Sequence, residues 1–163
     1  MTNSALLPGE HPGIENALGH RGDCVRAYRI YGWCVDESVP EVLTKAEREF
    51  LVDICDWDGS HQLGSGESIG MMDRIREWVD AQALCVEVRS GWYAQGTEPE
   101  PEEYRITLSV GGPNLYLVGD LGRYGEPETA ALLYSWYSTP EKLPCIESEA
   151  EALVWFAQQL VQA

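Results

Sequence analysis

Residues 104–121 read YRITLSVGGPNLYLVGDL, and this stretch decides the fold. Tyr104, Ile106, Leu108 and Val110 alternate with Arg105, Thr107 and Ser109, the period of two that sends successive side chains to opposite faces of a strand. Gly111-Gly112-Pro113 then turns the chain, and Asn114 to Leu121 resumes a β-rich run. Strands joined by so short a turn run antiparallel, because a parallel pair needs a long crossover. Working outward, Leu84, Val86 and Val88 alternate with Cys85, Glu87 and Arg89 upstream, while AALLYSWYS, Ala130 to Ser138, follows the turn-rich segment around Gly125-Glu126-Pro127. The pattern predicts a four-stranded antiparallel meander.

The flanks have helical rhythm. Thr44-Lys45-Ala46-Glu47 is a capping-box pattern, in which hydroxyl and carboxylate each satisfy an orphan backbone N–H. It predicts a helix from Lys45 to about Trp57, with Phe50, Leu51, Ile54 and Cys55 buried and Glu49, Asp53 and Asp56 as a row of negative charge on the solvent face. Gly59 to Gly66 interrupts, and a second helix is expected from Ser68 to Asp80 with Ile69, Met72, Ile75 and Val79 inward. A last helix is expected to start near Ser148, capped with Glu151, and to bury Leu153, Phe156, Ala157 and Leu160. The run CVRAYRIYGWCV, Cys24 to Val35, has no deciding period and fits either a strand or a buried helix. Pro8, Gly9, Pro12, Gly13, Gly19 and Gly22 mark residues 1–22 as an irregular N-terminal arm. The expectation is an α+β domain over residues 23–163, two N-terminal helices and one C-terminal helix covering one face of the sheet.

A chain of 163 residues with 44% apolar content and six tryptophans can bury a core without staples. Its unusual property is charge: 27 acidic residues against 11 basic ones give a net −16. Such a chain repels phosphate backbones and anionic lipid heads, so neither direct nucleic-acid binding nor a membrane surface is expected; the natural complement is a basic protein. Acidity also serves solubility alone. Five scattered cysteines without a CxxC argue against a disulfide framework, and with no signal peptide or membrane-length apolar run the expected location is the cytoplasm.

Catalytic and cofactor motifs do not stand out. His11, His20 and His61 lack the spacing of a helical zinc pair; a site from Asp56, Asp58 and His61 is conceivable, but Asp-Trp-Asp-Gly falls short of a calcium loop. Gly64-Ser65-Gly66-Glu67-Ser68 lacks the strand-turn-helix setting of a nucleophile, and the glycines form no phosphate or dinucleotide loop. No cofactor and no metal are therefore expected. An enzyme acting through an unrecognised carboxylate or cysteine remains the alternative of a different class.

What stands out is Glu98-Pro99-Glu100-Pro101-Glu102-Glu103 between the first two strands. Proline holds such a loop extended, so the four carboxylates would be presented on a protruding hairpin. Its prolines would equally serve to block edge-to-edge pairing. Trp92 and Tyr93 enter this hairpin, and Trp136 and Tyr137 end the fourth strand near Glu141, so aromatic anchors are expected beside charge. The candidate partner-binding residues are Glu49, Asp53, Asp56, Trp92, Tyr93, Glu98, Glu100, Glu102 and Glu103.

Gly91-Trp92-Tyr93, the acidic proline-rich loop, Gly111-Gly112-Pro113 and the segment Leu133-Tyr134 to Trp136 all lie in Val88 to Pro140. That third of the chain resembles a family of small acidic accessory proteins of bacterial phages, plasmids and integrated elements, the anti-CRISPR and antirestriction-like inhibitors. The resemblance implies an inhibitor that imitates the charge of DNA and blocks the basic nucleic-acid-binding surface of a host defence effector, and it brings no catalytic motif. An immunity protein or antitoxin neutralising a basic nuclease toxin would need the same surface.

Overall fold

The glycine- and proline-punctuated N-terminal stretch is helical. The computed structural model describes residues 12–136 and 139–161, so the arm expected at residues 1–11, and Tyr137, lie outside the described residues. Helix α1 runs Pro12–Val35, which corrects the irregular reading of residues 12–22 and settles Cys24 to Val35 as helix. Pro12 sits in the first turn, where its missing N–H has no partner to lose. Each interior glycine costs a helix about 1 kcal/mol relative to alanine, and tertiary burial outweighs that cost here. Ala17 and Cys24 on the first half of α1 join the cluster under the sheet, while Ala27, Ile30 and Cys34 on the second half join a separate helical cluster. The helix spans both, which its glycine content concealed.

Helix α2, Lys45–Asp53, starts at the expected capping box: the Glu47 N–H donates to the Thr44 hydroxyl at 3.1 Å and the Thr44 N–H to the Glu47 carboxylate at 2.9 Å. It ends earlier than expected, capped by Ile54, and the Cys55 and Trp57 N–H groups turn back to Phe50 and Leu51. Helix α3, Ser65–Gln82, buries Ser68, Met71, Ile75 and Val79, leaving Ile69 exposed. The expected stripe is one position out of phase at its start, because the small Ser68 and not the larger Ile69 is turned inward. Helix α4, Glu147–Leu160, is capped at Ile146, whose N–H donates to Glu149; the Ser148–Glu151 pairing does not form.

Five antiparallel strands follow one another in sheet order: β1 Cys85–Arg89, β2 Glu103–Ser109, β3 Asn114–Asp120, β4 Ala131–Ser135 and β5 Glu141–Lys142. The meander is as expected for β1 to β4; β5 is too short to show a period. The register runs Val86–Ile106–Leu117–Leu132, so these side chains share one face. There Tyr104, Ile106, Leu115, Leu117, Leu132 and Tyr134 pack with Val79 of α3 and Leu153, Phe156 and Ala157 of α4. Burying such side chains stabilises by roughly 1.5–3 kcal/mol each, and this face is the source of the sheet's stability. A bulge between Thr107 and Ser109 breaks the alternation, which is why Val110 ends exposed.

The opposite face carries Glu87, Arg105 and Tyr116. Arg105 donates to Glu87 at 2.6 and 2.9 Å and stacks over the Tyr116 ring, so this face is a set of cross-strand ion pairs in water. Among the described residues, no helix is long and apolar enough to cross a membrane.

Candidate protein-binding surface

The acidic hairpin and the β3–β4 connection meet at one end of the sheet. The Glu102 N–H donates to the Arg89 carbonyl at 2.9 Å and the Leu121 N–H to the Glu102 carbonyl at 2.8 Å, tying the loop between β1 and β2 to the turn after β3. That turn is itself fixed: Gly122 N–H donates to Glu126 O at 2.7 Å, Tyr124 N–H to the Glu126 carboxylate at 3.0 Å and Glu128 N–H to Asp120 O at 3.0 Å. Thr129 bridges by accepting the Asp120 N–H and donating to the Asp120 carboxylate, both at 2.9 Å.

The close approach of two backbone segments here requires glycine at position 119. Gly119 lies opposite Tyr104, whose hydroxyl donates to the Thr129 carbonyl at 2.7 Å. A Cβ at Gly119 would stand 1.9 Å from that carbonyl oxygen and 2.8 Å from the Tyr104 ring. Burial, with Asp120 nearby, pushes the Tyr104 phenol well above its ordinary range and keeps it a donor.

Glu100, Glu102 and Glu103 are thereby placed in one region with Asp120, Glu126 and Glu128, and Glu98 belongs to the same loop. Among the described residues, only Glu103 of these is neutralised by an ion pair, to Arg89. Glu98 and Glu100 are exposed and form no ion pair among the described residues. Glu102 lies against the backbone of Gly91, so Trp92 and Tyr93 stand beside it. Trp92 is fully exposed at 105%, Tyr93 at 60% and Tyr124 at 77%. Large aromatics left in water cost apolar hydration, and Tyr124 is the one of the three that lines a cleft beside Glu100 and Glu102. This cleft of about 520 Å³ lies between Glu100–Glu102 and Leu121–Gly125 and is lined also by Val88 and Val161, with a cation, Arg123, over the Tyr124 ring.

The other expected acidic surface does not assemble. Glu49 and Asp53 are exposed on α2, with Glu49 paired to Lys45 at 3.6 Å. Asp56 is beyond the helix end, in a left-handed conformation with φ 55°, and pairs with Arg74 at 3.4 Å. The early cap at Ile54 breaks the row. Residues α2 buries belong to the helical cluster, away from the sheet end that holds the hairpin. Asp120, Glu126, Glu128 and Tyr124 escape a sequence reading because only the β2–β3 register brings them beside Glu102; the Gly122–Gly125 turn is the available signal.

Elsewhere the polar side chains are engaged in local contacts. Ser60 and His61 are joined Oγ to Nδ1 at 3.0 Å, and His61 Nε2 bonds Glu67, whose other oxygen accepts the Gly64 N–H at 3.5 Å. This exposed chain clamps the start of α3, and the Glu67 hydrogen bond and charge raise the His61 pKa. Asp58 accepts the Ser60 N–H and Asp56 faces Arg74, so Asp56, Asp58 and His61 do not converge; among the described residues no group of three such side chains is placed to hold a metal. All five cysteines are free thiols, and burial pushes Cys34 up to about 11 and Cys55 to about 12. A hollow of about 600 Å³ on the outer sheet face is lined by two ion pairs, Arg105 with Glu87 and Arg89 with Glu103, and by Asp120, which accepts from Thr129.

No family model matches the chain, and no curated protein or solved structure matches it.

Proposed function

We propose that this is an acidic inhibitor that binds, through the end of the sheet formed by residues 89–103 and 119–128, the basic nucleic-acid-binding surface of a host defence effector. The observation that carries the reading is the exposure of Trp92, Tyr93 and Tyr124 among carboxylates that are largely unpaired. The charge supplies steering toward a cationic groove, by the same electrostatics that draw phosphates into it. The aromatics supply the desolvated anchors that dominate interface energies. Hydrogen bonds and close-fitting glycines hold Glu102 and the turn from Asp120 to Thr129, so that part of the surface has little ordering entropy left to lose. The segment that resembles mobile-element inhibitors, residues 88–140, contains this whole end.

A second reading, an immunity protein that neutralises a basic nuclease toxin, is favoured by one observation: the surface is compact and aromatic rather than a long row of charges. That composition suits plugging an active site as well as lining a groove. Neither reading involves catalysis by this chain.

The test is affinity capture from host lysate, followed by titration of the captured cationic protein with two variants. Exchanging Glu98, Glu100 and Glu102 for glutamine removes three rim charges worth about 0.2–1 kcal/mol each, so affinity at low salt should fall by roughly 3- to 160-fold. W92A/Y124A should cost more and show little salt dependence. Unchanged affinity of both variants overturns the assignment of this surface.

A further inference from the structure

We propose that β1 pairs with β1 of a second copy of this chain, about a two-fold axis at Val88, to form one continuous antiparallel sheet. The two edges of the sheet are finished differently. β5 is two residues long and stands between Pro140 and Pro144, and proline cannot continue a ladder, so that edge is closed. β1 stands at the other edge, pairs only with β2 among the described residues, and has no proline from Leu84 to Thr97. Every residue of β1 is exposed, and the side chains on its core-facing side are apolar: Val86 at 40% and Val88 at 51% exposure, with Leu84 just before them at 62%. This edge is therefore apolar on one face and carries the charges of Glu87 and Arg89 on the other, with no proline to close it.

The sequence of β1 selects the occupant and the register. In an antiparallel self-pair centred on Val88, Val86 faces Ser90 of the copy and Glu87 faces Arg89 of the copy, twice by symmetry. Centring on Glu87 instead sets Glu87 against Glu87, and centring on Val86 sets Cys85 against Glu87; neither matches opposite charges. In the Val88 register the outer face reads Arg105–Glu87–Arg89–Glu103 across the junction, with signs alternating, because Glu87 and Arg89 already pair inward with Arg105 and Glu103. The ladder ends at Ser90, before Trp92 and Tyr93, so it goes beyond the proposed function and does not depend on it.

The inference is tested on the isolated full chain by sedimentation equilibrium at about 0.15 M salt, where the Debye length of about 8 Å screens the repulsion between two acidic copies. The chain should sediment as a dimer. R89E sets carboxylate against carboxylate across the junction, and E87R sets guanidinium against guanidinium. Each variant alone should therefore be monomeric, with circular dichroism unchanged because the intramolecular pairs lost are exposed. Mixed in equal amounts, R89E and E87R should form a heterodimer, since both cross-copy pairs are again of opposite sign. A monomeric parent chain at about 100 μM, which corresponds to a dimer weaker than roughly −5.5 kcal/mol, overturns the proposal. So does a parent dimer that either variant leaves intact, or a mixture that stays monomeric.

Discussion

Gly119→Ala probes the contact that joins the sheet to its acidic end. The added Cβ would lie 1.9 Å from the Thr129 carbonyl oxygen, 2.7 Å from its carbon and 2.8 Å from the Tyr104 ring, and two of those atoms are backbone. Nothing can swing aside cheaply, so the strand or the β3–β4 connection must move. Overpacking of this kind costs about 1–3 kcal/mol. The Tyr104–Thr129 hydrogen bond, worth a further 0.5–1.5 kcal/mol or so, is lost in the same displacement. The sum, roughly 1.5–4.5 kcal/mol, is a large fraction of the roughly 5–15 kcal/mol that holds a typical domain together. At about 2–4 °C per kcal/mol for a chain of this size, the melting temperature should fall by roughly 3–18 °C in differential scanning calorimetry. Gly22→Ala is the control: its Cβ meets nothing within 4 Å in the middle of α1, so it should stabilise by about 1 kcal/mol. A G119A chain within about 0.5 kcal/mol of the parent would refute the steric argument, and a destabilised G22A would refute the continuity of α1.

Three further outcomes follow from the same structure. Burial raises the Glu47 carboxyl, but hydrogen bonds from Thr44 and the Arg29 guanidinium at 2.7 Å outweigh it and hold the pKa below the ordinary value, so this pair's stabilisation is present above about pH 4.5 and is lost as pH falls through the depressed pKa. E47Q should flatten that acid limb of a urea-denaturation series. His61 and His20 should titrate by NMR on opposite sides of the ordinary histidine value, His61 above it through Glu67 and His20 below it through burial, and E67Q should move His61 alone down toward that value. The stabilisation from His61 is present below about pH 6.5 and is lost as pH rises through its raised pKa, whereas His20 opposes folding as pH falls below its ordinary value. Native-state thiol labelling should modify exposed Cys85 first, while buried Cys24, Cys34 and Cys55, with thiols pushed well up from their ordinary value, wait for unfolding.

The β-rich half is legible because its signals are local. Alternation from Tyr104 to Ser109 and the Gly111-Gly112-Pro113 turn specify neighbouring strands without reference to anything distant, and the Thr44–Glu47 box is a contact within one turn. Helix α1 is not legible, because what overrides its glycines is burial against α3, α4 and the sheet, none of which is near it in sequence. The candidate surface divides the same way. Its hairpin half, Glu98 to Glu103 with Trp92 and Tyr93, is contiguous and visible; Asp120, Tyr124, Glu126 and Glu128 join it only through the β2–β3 pairing. Asp56 leaves the expected row because helical periodicity cannot be extrapolated past Ile54, where the chain turns back to cover Leu51 and bury Trp57.

The most direct measurement of the central claim is displacement. The cationic protein captured from lysate is loaded with a fluorescent oligonucleotide, and polarisation is followed as this chain is added. The account predicts stoichiometric release by the parent chain and none by W92A/Y124A at the same concentration. Retention of the oligonucleotide at saturating parent chain, or equal release by the variant, would contradict it.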